Sequence, residues 1–216
     1  MRFTGLLLTL LPLAAGTGCV VHTEDPPPPP PPSPEERLLR AVDNSKCNAQ
    51  YNVVETGASN EVPTCRAGLG YDTNPPSWGD YYPTAPPYQT YAEALARGFW
   101  VHSLKNGAVV ITYSCEENDC EAGVSAADAL TKADGYSQDF YCCIPGAGCP
   151  SEVSRLILTP DPELEEPWAA SAWGHTLTAD CFEPEVFAAF IDAWRGYGPT
   201  PSCEYGTSDN YTCVAP

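Results

Sequence analysis

Basic side chains are scarce in this chain of 216 residues: ten Lys and Arg stand against 28 Asp and Glu, leaving a net charge of −18 at pH 7. No basic stripe exists to release counterions from a phosphate backbone, which excludes nucleic acid as a partner and disfavours anionic lipid headgroups. The acidity itself names no partner, since it also keeps an exported protein soluble. Long apolar runs are missing too. The longest, Leu6–Ala15, spans only ten residues, too few to cross a bilayer. Neither a Gly-x-Ser-x-Gly elbow nor a phosphate-cradling glycine loop occurs, and Ser77 precedes Trp78 in a proline-rich stretch rather than a strand–helix turn. The paired Cys-x-x-Cys spacing of a structural zinc cluster is also lacking. A carboxylate pair for glycoside cleavage stays open among 28 acids, but no pattern singles out two of them.

The N-terminus reads as a targeting segment. Arg2 and the apolar run lead to Gly16-Thr17-Gly18-Cys19, so residues 1–18 are expected to be a signal peptide of the lipoprotein type, with Cys19 lipidated. Gly16 stands where a lipobox usually has an aliphatic residue, and ordinary cleavage that leaves Cys19 a plain thiol is the alternative. Residues 19–34 then form a proline-rich tether. Its stretch from Pro26 to Pro34 favours polyproline II at about 3.1 Å per residue, a semi-rigid spacer of roughly 28 Å. A ligand for proline-reading modules is the rival reading of that stretch. Residues 35–216 are expected to be a single domain, large enough to bury a core.

Ten cysteines remain: Cys47, Cys65, Cys115, Cys120, Cys142, Cys143, Cys149, Cys181, Cys203 and Cys213. An even set behind an export signal predicts a disulfide framework in an oxidising compartment. Ten thiols allow about 945 pairings, so spacing only suggests partners: Cys203 with Cys213, Cys115 with Cys120, Cys47 with Cys65, and the adjacent Cys142 and Cys143 with Cys149 and Cys181. Oxidised thiols leave no cysteine nucleophile.

Along the chain, Glu35–Asn44 predicts a short helix and Tyr51–Glu55 a strand. Tyr71–Tyr91, dense in proline and tyrosine, predicts an irregular loop, either a recognition surface or a lid. Ala92–Arg97 predicts a short helix. Phe99–Cys115 then reads as a central β-hairpin turning at Asn106-Gly107. Val124–Ala133 predicts an amphipathic helix capped by Ser125, Leu156–Thr159 a buried strand, and Ala169–Leu177 another strand. Pro184–Trp194 carries Val186, Phe187, Phe190, Ile191 and Trp194 on one face and predicts a helix. The expected fold class is α+β: a small antiparallel sheet around the central hairpin, with packed helices and disulfides.

Candidate site residues follow from chemistry. His102 projects from the predicted hairpin, where a lone histidine serves either structure or a ligand. His175 could converge with it and with Asp80 or Asp180 in a metal or acid–base site if their strands were neighbours. Trp78, Tyr81 and Tyr82, with Tyr71 and Tyr88, could present a stacking surface to a sugar or peptide, which suits recognition better than chemistry.

Four blocks, Asn74–Tyr82 (NPPSWGDYY), Val101–Val110 (VHSLKNGAVV), Ser171–Cys181 (SAWGHTLTADC) and Phe187–Pro199 (FAAFIDAWRGYGP), together resemble a bacterial family, the domain of unknown function 3105 family, over roughly residues 68–200. The resemblance implies an exported or membrane-anchored α+β domain with no settled activity. The family's pattern has a histidine closing the Asn-Pro-Pro block and a His-x-Leu-Glu-His-Gly run. Here Tyr81 stands in place of the first histidine, and Lys105 and Asn106 replace the Glu-His pair, while His102 and Gly107 remain. The resemblance therefore implies a degenerate site. The binding residues expected are His102, Trp78, Asp80, Tyr81, Tyr82, Lys105, Asn106, Trp173 and His175, with no cofactor or metal. The expected protein is a non-enzymatic envelope lipoprotein, held to the membrane by its lipid, with an envelope protein, peptide or glycan as partner. A metal-dependent or acid–base enzyme using His102, His175 and Asp80, and a purely structural envelope protein, are the alternatives.

Overall fold

Ser33 sets the first helix in place. Its hydroxyl accepts from the Glu36 amide at 3.1 Å and its own amide donates to the Glu36 carboxylate at 2.7 Å, a reciprocal cap that starts α1 (Pro34–Asp43) with Pro34 in the first turn. The chain is described by a computed structural model at residues 30–114, 120–136, 142, 154–203, 206, 211 and 213. The leader, Cys19 and most of the tether lie outside those residues, as do Cys115, Cys143 and Cys149.

From α1 the described elements run β1 (Gln50–Val53), α2 (Arg97–Lys105), β2 (Val109–Tyr113), α3 (Glu121–Thr131), β3 (Leu156–Pro160), β4 (Trp168–Ala172), β5 (His175–Ala179) and α4 (Pro184–Trp194). The strands form one sheet in the order β1-β5-β4-β2-β3. Three pairs are antiparallel, while β2 and β3 run parallel. The fold is α+β and disulfide-bonded, as expected, but the sheet is mixed.

Strand alternation divides two cores. Val109 and Ile111, Leu156 and Leu158, and Ala170 and Leu177 face a cluster with Val186, Phe187, Phe190 and Ile191 of α4 and Leu38 of α1. Val110 and Ile157 face the other way, against Phe99, Trp100, Val101 and Leu104 of α2 and Tyr81 and Tyr82 of the long loop. The sheet is thus buried on both faces, which is why β2 and β3 read as continuous apolar runs. Each fully buried Leu, Ile or Phe stabilises the fold by about 1.5–3 kcal/mol.

The central hairpin is corrected. Its first half is helix α2, and Asn106-Gly107 ends that helix instead of turning a hairpin. Gly107 adopts φ +88°, its amide donates to Leu104 O at 2.9 Å, and the Ala108 amide donates to Ser103 O at 2.9 Å. That is the left-handed glycine cap that closes helices, and it uses the same dipeptide as a tight hairpin. Six residues of α2, from Gly98 to Leu104, are buried, so no polar face marked the helical period.

Other boundaries move for similar reasons. No helix forms over Ala92–Ala96, and α2 begins only at Arg97. Helix α3 starts at Glu121, after Cys120, leaving Ser125 exposed inside it rather than at its cap. The predicted strand Ala169–Leu177 is two antiparallel strands folded about Trp173-Gly174, where Gly174 takes φ +75°.

Three disulfides join described residues: Cys47–Cys181, Cys65–Cys213 and Cys142–Cys203. They replace the expected pairings of Cys47 with Cys65, Cys203 with Cys213, and Cys142 with Cys149 or Cys181. Cys120 is also disulfide-bonded. The first bridge follows from β1 pairing with β5, because Cys47 precedes one strand and Cys181 follows its antiparallel neighbour. No helix among the described residues is long and apolar enough to cross a membrane.

Candidate functional site

The Asn-Pro-Pro block is held by a partly buried arginine. Arg97, at the start of α2, donates to Asp161 through Nε at 3.1 Å and through an Nη at 2.9 Å, and that same Nη reaches Asn74 Oδ1 at 3.1 Å. Asn74 in turn donates to Glu163 O at 2.8 Å. A planar fork matched to a carboxylate fixes direction as well as distance, so the loop leaves this anchor at a set angle.

The loop then returns across α2. Tyr81 pairs with the 60–62 segment, its amide donating to Asn60 O at 3.0 Å and its carbonyl accepting from Val62 N at 2.9 Å. The Tyr82 amide donates to Gly98 O at 2.9 Å. A side chain at Gly98 would meet the Tyr82 ring at 2.7 Å, so only glycine lets that ring lie against the helix, edge-on to Phe99.

On α2, His102 and Lys105 are three apart and therefore neighbours. The His102 ring lies 4.9 Å from the Tyr81 ring, and its Nδ1–H donates to the Tyr82 carbonyl at 2.8 Å, which puts the lone pair of the neutral ring on Nε2. The Lys105 ammonium lies 4.1 Å from the centre of the Tyr81 ring and donates to its hydroxyl. Three of the sequence-predicted residues thus meet in one place, at the edge of the second core, with Tyr81 buried and His102 and Lys105 half-buried. An ammonium against a phenol ring is a cation–π contact of about 0.5–2 kcal/mol. It offers a polar, aromatic surface and repels a second cation.

The remaining candidates are distributed around this cluster or away from it. Asp80 Oδ1 accepts from both the amide and the side chain of Asn60 at 3.0 and 3.1 Å. Trp78 packs over Gly57, and Trp173 lines the second core from the β4–β5 turn. Asn106 is buried as the cap of α2, and its carbonyl accepts from Arg155. His175 lies on the opposite face of the sheet. It stacks on Trp194 with centroids 3.5 Å apart, and its Nδ1 shares a hydrogen bond with Tyr51 OH at 2.9 Å. Burial pushes its pKa from 6.5 down to about 4, so the ring is neutral at pH 7. The sheet separates His175 from His102, and the convergence expected with Asp80 does not occur. Among the described residues, no group of three or more His, Cys, Asp or Glu is arranged to hold a metal ion.

Arg155 is the site-supporting residue the sequence did not suggest. Almost fully buried, it donates to the carbonyls of Asn106 and Ser202 and to Cys142 Sγ, tying the end of α2 to β3 and to the Cys142–Cys203 bridge. An arginine just before an apolar strand reads as surface, and no local signal marks it otherwise.

A family described as proteins of unknown function, DUF3105, matches residues 64–209. No curated protein and no solved structure matches the chain.

Proposed function

The chain belongs to the DUF3105 family, and from that membership we propose that it is an exported, lipid-tethered binding module whose family site has lost its chemical groups. The observation that carries this reading is the meeting of Tyr81, His102 and Lys105, with Lys105 against the Tyr81 ring at 4.1 Å. In the family's pattern these positions are His, His and Glu, a set suited to a cation or to proton transfer. Here the carboxylate is replaced by an ammonium and one imidazole by a phenol. Coulomb repulsion then works against a divalent ion. What remains is suited to recognition: the phenol, imidazole and ammonium of this cluster, with Trp78 and Asp80 nearby.

Export is supported by the disulfides, which suggest an oxidising compartment, and tethering by residues 1–18, which read as a leader directly before Cys19. The proline-rich stretch would hold the domain clear of a membrane, with an envelope protein, peptide or glycan as its ligand. Two experiments test the reading. Titrating zinc and copper into the mature protein is expected to give no stoichiometric binding; tight binding that His102→Ala abolishes would overturn it. Capture from envelope material by the wild type is expected to weaken with Tyr81→Ala or Trp78→Ala.

A further inference from the structure

Away from the Tyr81 cluster, the end of the long loop runs between strand β3 and helix α3. It leaves two adjoining hollows of about 430 and 770 Å³, which share Thr90 and Lys132 as walls. Hollows of this size hold small organic ligands. No member of the Tyr81–His102–Lys105 cluster lines either.

Four features of the groove narrow its occupant. Tyrosines line both parts, Tyr88 the smaller and Tyr91 and Tyr113 the larger, each of them half-buried. A polar group stands among them in a fixed orientation: Thr90 Oγ1 donates to Asp128 Oδ1 at 2.6 Å and Lys132 Nζ to Oδ2 at 2.7 Å. These bonds hold the Asp128 carboxyl below the usual carboxylate range, so it stays an ionised acceptor beside an ammonium donor. The main chain, by contrast, is taken. The Tyr91 amide donates to Leu158 O at 2.8 Å and the Leu158 amide to Gln89 O at 3.2 Å, so the outer edge of β3 is already paired here and a peptide strand cannot add to it. Finally, Glu121 and Asp128 line the wall of a chain carrying −18, which repels anionic polymers.

Aromatic walls, fixed acceptors and donors, no free strand edge and an acidic surround suit a ligand that is neutral and rich in hydroxyls, each of them both donor and acceptor. We propose that this groove binds a neutral saccharide, with a sugar ring lying against the tyrosine wall and its hydroxyls bridging Asp128 and Lys132. The proposal goes beyond the Tyr81 reading and stands or falls apart from it.

The test is titration of the mature protein with neutral tetrasaccharides (cellotetraose, chitotetraose, maltotetraose), followed by intrinsic fluorescence and amide chemical shifts. Saturable binding of at least one is expected, weakened roughly tenfold by Tyr113→Leu and by Lys132→Ala and unchanged by Lys46→Ala, an exposed change remote from the groove. Lys132 is exposed, so its variant reports on binding even if Tyr113→Leu disturbs the core. Failure of all three sugars to saturate, indifference to Lys132→Ala, or an equal loss of binding on Lys46→Ala would each overturn the proposal.

Discussion

Lowering the pH from 6.5 to 4 should loosen the stack that Tyr51, His175 and Trp194 make between β1, β5 and α4. The neutral His175 ring shares a hydrogen bond with the Tyr51 hydroxyl at Nδ1 and lies flat on Trp194, 3.5 Å away. Protonation charges a ring that burial already disfavours charging. Because the folded pKa, about 4, lies below the ordinary 6.5, the unfolded chain binds the proton first. Stability from this residue is therefore complete above pH 6.5, falls through the interval, and is lost below about pH 4. A gap of about two and a half pH units at about 1.4 kcal/mol each sets a limit of about 3–4 kcal/mol. The ring is only half-buried, and solvent screening reduces the expected loss to about 1–2 kcal/mol. Tyr51 does not interfere, since burial pushes its own pKa up to about 12. Urea unfolding at half-unit pH steps, for the wild type and His175→Gln, isolates the effect. The wild type should lose that much more stability than the variant between pH 6.5 and 4. Equal slopes for the two proteins would refute the reasoning.

Three further outcomes are expected. Replacing both Cys47 and Cys181 by Ser opens a loop closed over a separation of 134 residues and should cost about 2–5 kcal/mol in urea unfolding, with less than 1 kcal/mol counting against the bridge as a stabilising link. Phe190→Ala empties a fully buried site in the first core and should cost about 3–5 kcal/mol, measured as a drop in Tm of roughly 10 °C for a chain of this size. Gly198→Ala would place a methyl 2.5 Å from Lys105 O and 2.7 Å from Gly107 N, backbone atoms that cannot rotate away, so it should cost about 1–3 kcal/mol and shift the His102 and Lys105 resonances. An unshifted spectrum would show that the segment after α4 does not position the end of α2.

The candidate site was legible where its signal was chemical and obscure where it was geometric. Tyr81 and Lys105 stand out as substituted positions in a family pattern and His102 as a retained one, and the three meet in the structure. His175 stands out only for its imidazole and lies across the sheet, because partnership between distant histidines depends on strand order, which no spacing encodes. The turn at Trp173-Gly174 is marked locally only by a single glycine inside a stretch of small and β-prone residues, which reads equally as one strand.

By itself, the sequence determined the elements whose causes are local: α1, from a cap and an acid three residues apart; α4, from a proline start and an apolar stripe; β3, from an apolar run stopped by proline; and the family, from four ordered blocks. Tertiary structure decided the rest. It made Phe99–Leu104 a helix, set β3 parallel to β2, chose which cysteines pair, and put the two histidines on opposite faces. Each of those outcomes depends on contacts between residues far apart in the chain, where burial on every side erases the period that local reading needs and packing of the whole core selects one arrangement.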